Sequence, residues 1–166
     1  MKTVEPFAAR KGSPVPPGVN RCLSIDPGKK CTGWALWDTI LVACGTGEPP
    51  LEGVNRVTIE IPQTYPNSPV PYQDLVTLAF LAGRYIGKVQ GRAWHNGVGN
   101  IEARWMFPHE WKGNLPKDVC ESRVRKKLLP EERLVVEECE RFVAKGLMNN
   151  VWDAVGIGFA AYRGAI

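Results

Sequence analysis

Short apolar runs, each ended by a charged residue, a glycine or a proline, dominate the first sixty residues of the chain. The first three runs predict strands that tight turns join into an antiparallel meander, at residues 22–25, 32–37 and 40–44. A fourth run, residues 56–61, alternates apolar and polar side chains with the period of a strand, and Pro62 ends it. In this alternation Glu60 faces away from the isoleucines, near the C-terminal end of its strand.

The pattern changes in the second half of the chain. Apolar residues recur every three or four positions over residues 71–90, which predicts a helix. A fifth strand is predicted at residues 101–107, where Pro108 ends it. Three more helices are predicted after it, at residues 116–129, 131–145 and 151–163. This order predicts an α/β protein with one central five-stranded mixed sheet, flanked by α-helices.

Length and composition narrow the class of protein. The 166 residues, 44% hydrophobic and 23% charged, are typical of one globular domain, predicted at residues 21–166 after a flexible leader at 1–20. Neither a signal peptide nor a membrane-spanning run is found in the sequence, so we expect a cytoplasmic protein without a membrane partner. The five cysteines include no C-x-x-C pair, which argues against a structural zinc site and for reduced thiols.

Positive charge is concentrated in one part of the chain. The net charge is only +4, a value compatible with a polyanionic partner but not diagnostic of one. Six basic residues nevertheless fall within sixteen positions: Lys112, Lys117, Arg123, Arg125, Lys126 and Lys127. They indicate either a solvated helix face or a surface that binds phosphates.

Three acidic residues stand where the predicted elements end or begin. Asp26 ends the first strand, Glu60 ends the fourth, and Asp153 lies in the first turns of the last helix. If the first and fourth strands are neighbours, these carboxylates converge, and their repulsion favours a bound cation. Oxygen ligands suit Mg²⁺ or Mn²⁺, and two such ions about 3.5–4 Å apart support phosphodiester cleavage. Taken singly, each acid is also explained as a turn, surface or helix-start residue.

Four segments of the chain resemble the motifs of a known protein family. LSIDPGKKCTGWALWD, residues 23–38, resembles its opening strand pair, and VTIEIPQ, residues 57–63, its second acidic strand. WKGNLPKDVCESRV, residues 111–124, together with VWDAVGIGFAAY, residues 151–162, resembles the versions found in bacteriophages and mobile elements. The family that these segments resemble is that of the RuvC-type Holliday junction resolvases, in the RNase H-like, retroviral-integrase superfamily, and the resemblance covers residues 22–163.

The resemblance implies an RNase H-like fold and a Mg²⁺-dependent endodeoxyribonuclease, with Mn²⁺ able to substitute. Such an enzyme resolves four-way junctions by paired symmetric nicks that leave 5′-phosphate ends, in DNA recombination, repair or phage genome processing. Paired cuts need a two-fold symmetric homodimer, which the resemblance places on the helix at 72–90. The alternatives are a general branched-DNA or flap nuclease, a junction-binding protein with weakened catalysis and, last, a nuclease acting on RNA–DNA hybrids.

The resemblance also implies the site residues. Asp26, Glu60 and Asp153 match the metal-binding carboxylates of the family, and Asn150 stands where the family carries Asp or His. A neutral amide weakens the second of the two expected metal sites, so an Asn150→Asp substitution is expected to restore it. Lys117 matches a basic residue that contacts a phosphate, and it completes the candidate catalytic set.

The candidate DNA-binding residues are Lys112, Lys117, Arg123, Lys29, Lys30 and Tyr65. Two of the candidate DNA-binding lysines, at 112 and 117, and the stacking tyrosine are implied by the resemblance, whereas the other basic candidates belong to the basic clusters of the sequence. Tyr65 is assigned the stacking of an unpaired base, because Gln63 occupies the position at which the family has an aromatic residue. A helix that the family carries between its third and fourth strands is missing here, and the leader is additional.

Overall fold

The computed structural model describes residues 21–63, 71–95, 101–164 and 166, with the backbone alone for residues 92–95. The leader predicted at 1–20 and the candidate Tyr65 lie outside the described residues. The strands are β1 Arg21–Asp26, β2 Gly33–Asp38, β3 Ile40–Thr46, β4 Val54–Glu60 and β5 Glu102–Met106. The helices are α1 Tyr72–His95, α2 Pro108–Trp111, α3 Lys117–Lys127, α4 Pro130–Phe142 and α5 Met148–Arg163.

One five-stranded mixed sheet forms the centre of the fold, in the order β3-β2-β1-β4-β5. The first three strands form an antiparallel meander, whereas β4 runs parallel to both β1 and β5. The α/β fold class predicted from the sequence is therefore confirmed, and β1 lies between β2 and β4, as the convergence of Asp26 and Glu60 requires. In the parallel pair Ile25 lies opposite Ile59, so the residues that follow them, Asp26 and Glu60, end the two strands side by side.

The sheet is covered on both faces, which explains the apolar character of its central strands. Leu23 and Ile25 pack with α1, whose Tyr85, Ile86 and Val89 are buried in the same cluster. The alternate side chains of β1 point to α5, where Ser24 is buried beside Gly158. Because Asp26 and Glu60 continue this second alternation, both carboxylates lie on the α5 face of the sheet.

Several predicted boundaries are wrong by a few residues. The sequence analysis missed the one-turn helix α2 and the 3-10 turn Lys145–Leu147, and it started the last helix at 151 instead of Met148. Asparagines at 149 and 150 disfavour a helix interior, which placed the predicted start after them. The first turn accepts such residues, because its backbone N–H groups have no intrahelical partners.

The short connection between β3 and β4 contains no helix, as the sequence predicted. Leu51, from this connection, and Val54 fold into the cluster beneath α1 and cover that part of the sheet. In the described part of the chain, no helix has the length and apolarity needed to cross a membrane.

Candidate active site at the carboxyl ends of β1 and β4

Three carboxylates from distant parts of the sequence share one edge of the sheet. Asp26 and Glu60 end neighbouring parallel strands, and Asp153 enters from the second turn of α5. The charges of Glu60 and Asp153 both act on Asp26, and Asp153 also acts on Glu60. The structure thus brings together the three acids that the sequence singled out.

Asp26 is the least compensated of the three. Its carboxylate takes part in no hydrogen bond or ion pair with any described residue. Burial raises the pKa of Asp26 well above its usual range, and the charges of Glu60 and Asp153 raise it further. Lys117 and Lys112 act in the opposite direction without cancelling this effect. A partly buried carboxylate of this kind is a place where a cation would be strongly favoured.

Glu60 is held by α2. The indole Nε1 of Trp111 donates to Glu60 Oε2 at 2.6 Å, and Lys112 Nζ lies 3.9 Å from the same oxygen. Burial raises the pKa of Glu60; Lys112 and the Trp111 hydrogen bond lower it, and Asp153 raises it. The net direction is upward, so desolvation outweighs the favourable contacts. Lys112 also stacks over the Trp111 ring, 4.6 Å from its centroid, which positions both side chains.

Asp153 is paired with a lysine from α3. Lys117 Nζ lies 2.7 Å from Asp153 Oδ2, and the carboxylate side chain is only 13% exposed whereas the lysine is 48% exposed. Lys117 is the first residue of α3, so the helix start places its ammonium group over the site. The predicted catalytic lysine therefore contacts a predicted metal ligand and remains accessible to a substrate.

Asn150 occupies the same side of α5 as Asp153, one turn earlier. Its Nδ2 donates to the carbonyl oxygen of Cys31, in the loop between β1 and β2, at 2.6 Å. Because a carbonyl oxygen only accepts, the amide nitrogen faces the loop and Oδ1 is directed elsewhere. The side chain of Asn150, the predicted fourth ligand, is therefore bound to the loop that follows Asp26.

The donor set is chemically suited to a hard divalent cation, since all its candidate ligands are oxygens. Yet among the described residues no group of three or more His, Cys, Asp and Glu side chains is already arranged around a metal position. Glu60 turns to Trp111 and Lys112, and Asp153 turns to Lys117. Binding a shared cation would require these side chains to rotate towards Asp26.

The candidate DNA-binding residues are spread around this edge. Lys29 pairs with Asp74 at 2.5 Å, which ties the β1–β2 loop to the start of α1, and Lys30 is exposed in the same loop. Arg123 is exposed on α3, two turns after Lys117. Lys112 lies within the site itself, between Glu60 and the Trp111 ring.

Two site residues that the sequence did not predict, Trp111 and His109, come from the short helix α2. Trp111 is only 4% exposed, and a buried indole N–H needs an acceptor. This need is the signal from which a polar partner of Trp111 could have been predicted. His109 Nδ1 lies 2.6 Å from Gln63 Oε1, and its ring stacks on Phe107 with the centroids 5.8 Å apart. Gln63, at the position where the resembling family is aromatic, is therefore linked to an exposed aromatic pair.

Comparisons with known proteins give a similar fold at low identity. No family model matches the chain, and no curated protein sequence matches it. A structure of Thermus thermophilus RuvC is 16% identical with a TM-score of 0.46, over 87% of this chain and 96% of that one. The fowlpox virus Holliday junction resolvase is 12% identical with a TM-score of 0.47, over 85% and 96%.

Proposed function

We propose that the protein is a metal-dependent endodeoxyribonuclease that cuts four-way and otherwise branched DNA, in recombination, repair or phage genome processing. The observation that carries the proposal is the meeting of Asp26, Glu60 and Asp153 at one sheet edge, with Lys112 and Lys117 beside them. Converging carboxylates are costly to a fold, so their presence is best explained by a bound cation. Branched DNA is proposed as the substrate because the segments around these acids resemble the resolvase family.

The residues that would hold Mg²⁺ or Mn²⁺ are the three carboxylates, with Oδ1 of Asn150 as a neutral fourth oxygen. A divalent cation at this position supplies Lewis-acid activation of water and neutralises charge on the scissile phosphate. Two ions are proposed, and the neutral Asn150 makes the second site the weaker one. Before a cation binds, Lys112 and Lys117 offset the charges of Glu60 and Asp153, which would turn from these lysines towards the cation.

Lys117 has a second proposed role. Its ammonium group is half-exposed at the start of α3, so it can exchange Asp153 for a phosphate oxygen when DNA and metal arrive. Bound to the phosphate, the ammonium group of Lys117 would stabilise the negative charge that develops during cleavage. Lys29, Lys30 and Arg123 would contact phosphates farther from the cut, so junction affinity should fall steeply with salt.

A homodimer is part of the proposal. On α1, Tyr72, Val76 and Phe80 lie one turn apart and are 77%, 50% and 71% exposed, which forms an apolar stripe on the helix surface. Gly83 continues this stripe, with nothing within 4 Å of where its side chain would start. Such a stripe suits a second copy of the same helix, and a two-fold dimer would place two sites for paired cuts.

The second candidate function is a junction-binding protein with weakened catalysis. It is favoured by one observation, the amide of Asn150, which brings no charge to the second metal site. Cleavage distinguishes the two candidates, because a binder retains a junction without nicking it.

The experiment is cleavage of a labelled immobile four-way junction in Mg²⁺, with a linear duplex of the same sequence as control. The proposal predicts symmetric nicks with 5′-phosphate ends, at least about 100-fold slower in Asp26→Asn, and no cutting of the duplex. Asp118→Asn, an exposed carboxylate on α3, is the matched variant and should cut normally. Tight junction binding with no nicks from the unaltered protein would favour the binder, and no binding would contradict both.

A further inference from the structure

The loop between β1 and β2 lies directly on the first turn of α5. It begins after Asp26 and ends at Gly33, the first residue of β2. A hydrogen bond from Asn150 Nδ2, in α5, to the carbonyl oxygen of Cys31, in the loop, joins the two segments. At 2.6 Å it is short for an amide donor, which indicates a closely fitted contact.

Two glycines make this close approach possible. A side chain at Gly28 would overlap the Cys31 carbonyl and stand 2.6 Å from Asn150 Nδ2. One at Gly33 would overlap the backbone carbonyl of Asn150. The loop therefore contacts α5 near both of its ends, at Gly28 and Gly33, and the amide of Asn150 binds the loop between them, at Cys31. The Gly28 and Gly33 contacts are steric, so only Asn150 supplies a directional bond.

The contact joins the two segments that carry Asp26 and Asp153. Asp26 stands immediately before the loop, and Asp153 stands one turn after Asn150 on the same helix. A shift of the loop along α5 would move Asp26 relative to Asp153. At the other end of α5 the Tyr162 hydroxyl donates to the Leu23 carbonyl of β1 at 3.4 Å, so the Asn150 bond is the directional contact that sets the register at the end near the carboxylates.

From these contacts we propose that Asn150 is a positioning residue whose amide donor locks the β1–β2 loop to α5 and so aligns Asp26 with Asp153. This inference rests on the proposed function, but it assigns Asn150 a role that the resemblance does not. Position 150 then requires a hydrogen-bond donor. An aspartate carries two acceptor oxygens, neither of which can replace Nδ2 opposite the Cys31 carbonyl.

The proposal reverses the expectation for the Asn150→Asp variant. If Asn150 were only a weakened metal ligand, the added charge would strengthen the second site and raise activity. If Asn150 is the lock, Asn150→Asp loses the bond, and kcat on the junction falls roughly 10- to 100-fold, the range for a small misplacement of reacting groups. The KM for the junction changes less than kcat, because Lys112, Lys117 and Arg123 lie outside the loop, although Lys29 and Lys30 move with it.

A second variant distinguishes the role of Asn150 as a hydrogen-bond donor from its role as a metal ligand. Gly28→Ala forces the loop away from Nδ2 while it leaves both Asn150 atoms in place. We expect Gly28→Ala and Asn150→Asp to lower kcat to a similar extent, and the double variant to be no slower than the slower single one. A double variant that loses the product of the two factors would overturn the proposal, as would an Asn150→Asp enzyme as active as the unaltered protein.

Hydrogen exchange tests the lock without relying on cleavage. In Asn150→Asp, amides of the β1–β2 loop should exchange about 5- to 10-fold faster, the factor expected for one lost hydrogen bond, while amides of β1 are unchanged. Unchanged loop exchange would overturn the inference even in an active enzyme. Conversely, faster loop exchange in a protein that cuts no junction would support the lock and contradict the proposed function.

Discussion

At the scale of single residues, the acids of the candidate site are arranged for binding rather than for stability. Asp26 is the clearest case, because burial and two like charges raise its pKa and no described residue donates to it. A group whose pKa is raised by folding holds its proton more tightly in the folded state. Its stabilising contribution is present below the unfolded-state pKa, about 3.9, and is lost as the pH rises through the folded-state pKa.

Asp26→Asn should therefore make the metal-free protein more stable at pH 8. The amide removes the buried charge, and we expect a gain of about 0.5–2 kcal/mol in the free energy of unfolding. Urea denaturation in a chelator measures it, and the gain should shrink as the pH is lowered towards 4. Asp118→Asn, on the surface of α3, should show no such gain. Equal stability of Asp26→Asn and the unaltered protein at pH 8 would show that the site carries no uncompensated charge.

The sequence predicted these acids because each one stands at the end of a clear strand or helix pattern. Their partners were not predictable in the same way. Trp111 reaches Glu60 from a one-turn helix too short to give a periodic signal, and Asn150 reaches Cys31 across 119 positions of sequence. Residue type and spacing indicate which groups converge, whereas hydrogen-bond partners depend on loop geometry that only the folded chain defines.

At the scale of elements, α5 organises the fold through both of its ends. Its N-terminal turns carry Asn150 and Asp153, and its last residue, Arg163, forms a bidentate pair with Glu132 at 2.6 and 2.9 Å. Glu132 is fully buried and also accepts from the backbone of Leu41 at 2.7 Å. One carboxylate thus joins α4, α5 and β3. Nothing in the sequence pattern marked Glu132 as buried, because its neighbours are charged.

Loss of this buried charge should be costly. Glu132→Gln removes the buried negative charge opposite Arg163 and replaces one acceptor oxygen by an amide donor, so we expect a loss of about 3–5 kcal/mol in the free energy of unfolding. Glu137→Gln, on the exposed side of the same helix, should change it by less than about 0.5 kcal/mol. Urea denaturation of the two variants makes the comparison. A change below about 1 kcal/mol in Glu132→Gln would show that the pair contributes little.

Small residues explain how closely α5 approaches the sheet. A side chain at Gly158 would overlap Trp37 Nε1 and stand 2.6 Å from Ser24 Oγ, two atoms joined by a 3.1 Å hydrogen bond. The backbone of α5 therefore lies against Trp37 and Ser24 at this point, where only glycine leaves enough room. The specific neighbours depend on the sheet register and were not predictable.

The same substitution should have opposite effects in two helices. Gly158→Ala is expected to lower the free energy of unfolding by about 1–3 kcal/mol, because the added methyl group forces Trp37 from its position. Gly91→Ala, in α1 with nothing within 4 Å, should raise it by about 0.5–1 kcal/mol through helix propensity. Thermal unfolding of both variants shows whether Gly158→Ala is destabilised and Gly91→Ala is stabilised. Equal effects would mean that α5 can shift away from the sheet at little cost.

At the scale of the whole molecule, the candidate site is assembled from elements that are far apart in the chain. Its acids come from β1, β4 and α5, and the basic and indole groups come from α2 and α3. Parallel pairing of β1 and β4 brings the first two together, and α5 closes the site from one face only. The opposite face of the sheet is covered by α1, whose exposed stripe is therefore separated from the catalytic groups by the sheet.

This separation makes the proposed dimer testable without damage to the site. Phe80→Glu places a charge in the middle of the stripe formed by Tyr72, Val76 and Phe80, so we expect the dimer to dissociate at least about 30-fold more readily. Light scattering after size exclusion gives the mass, and the circular dichroism spectrum should show an unchanged fold because Phe80 is 71% exposed in the single chain. Leu134→Glu, at a side chain 65% exposed on α4, is the matched control and should remain dimeric.

The dimer variant should also change how the junction is cut. A monomer retains Asp26, Glu60 and Asp153, so we expect it to nick single strands but to lose the simultaneous second cut. A supercoiled cruciform plasmid distinguishes these outcomes, since paired cuts give a linear product and single nicks give an open circle. If Phe80→Glu is monomeric and still gives linear product within one binding event, paired cutting does not depend on this helix. If it remains dimeric, the two subunits meet on another surface and the stripe on α1 has a different occupant.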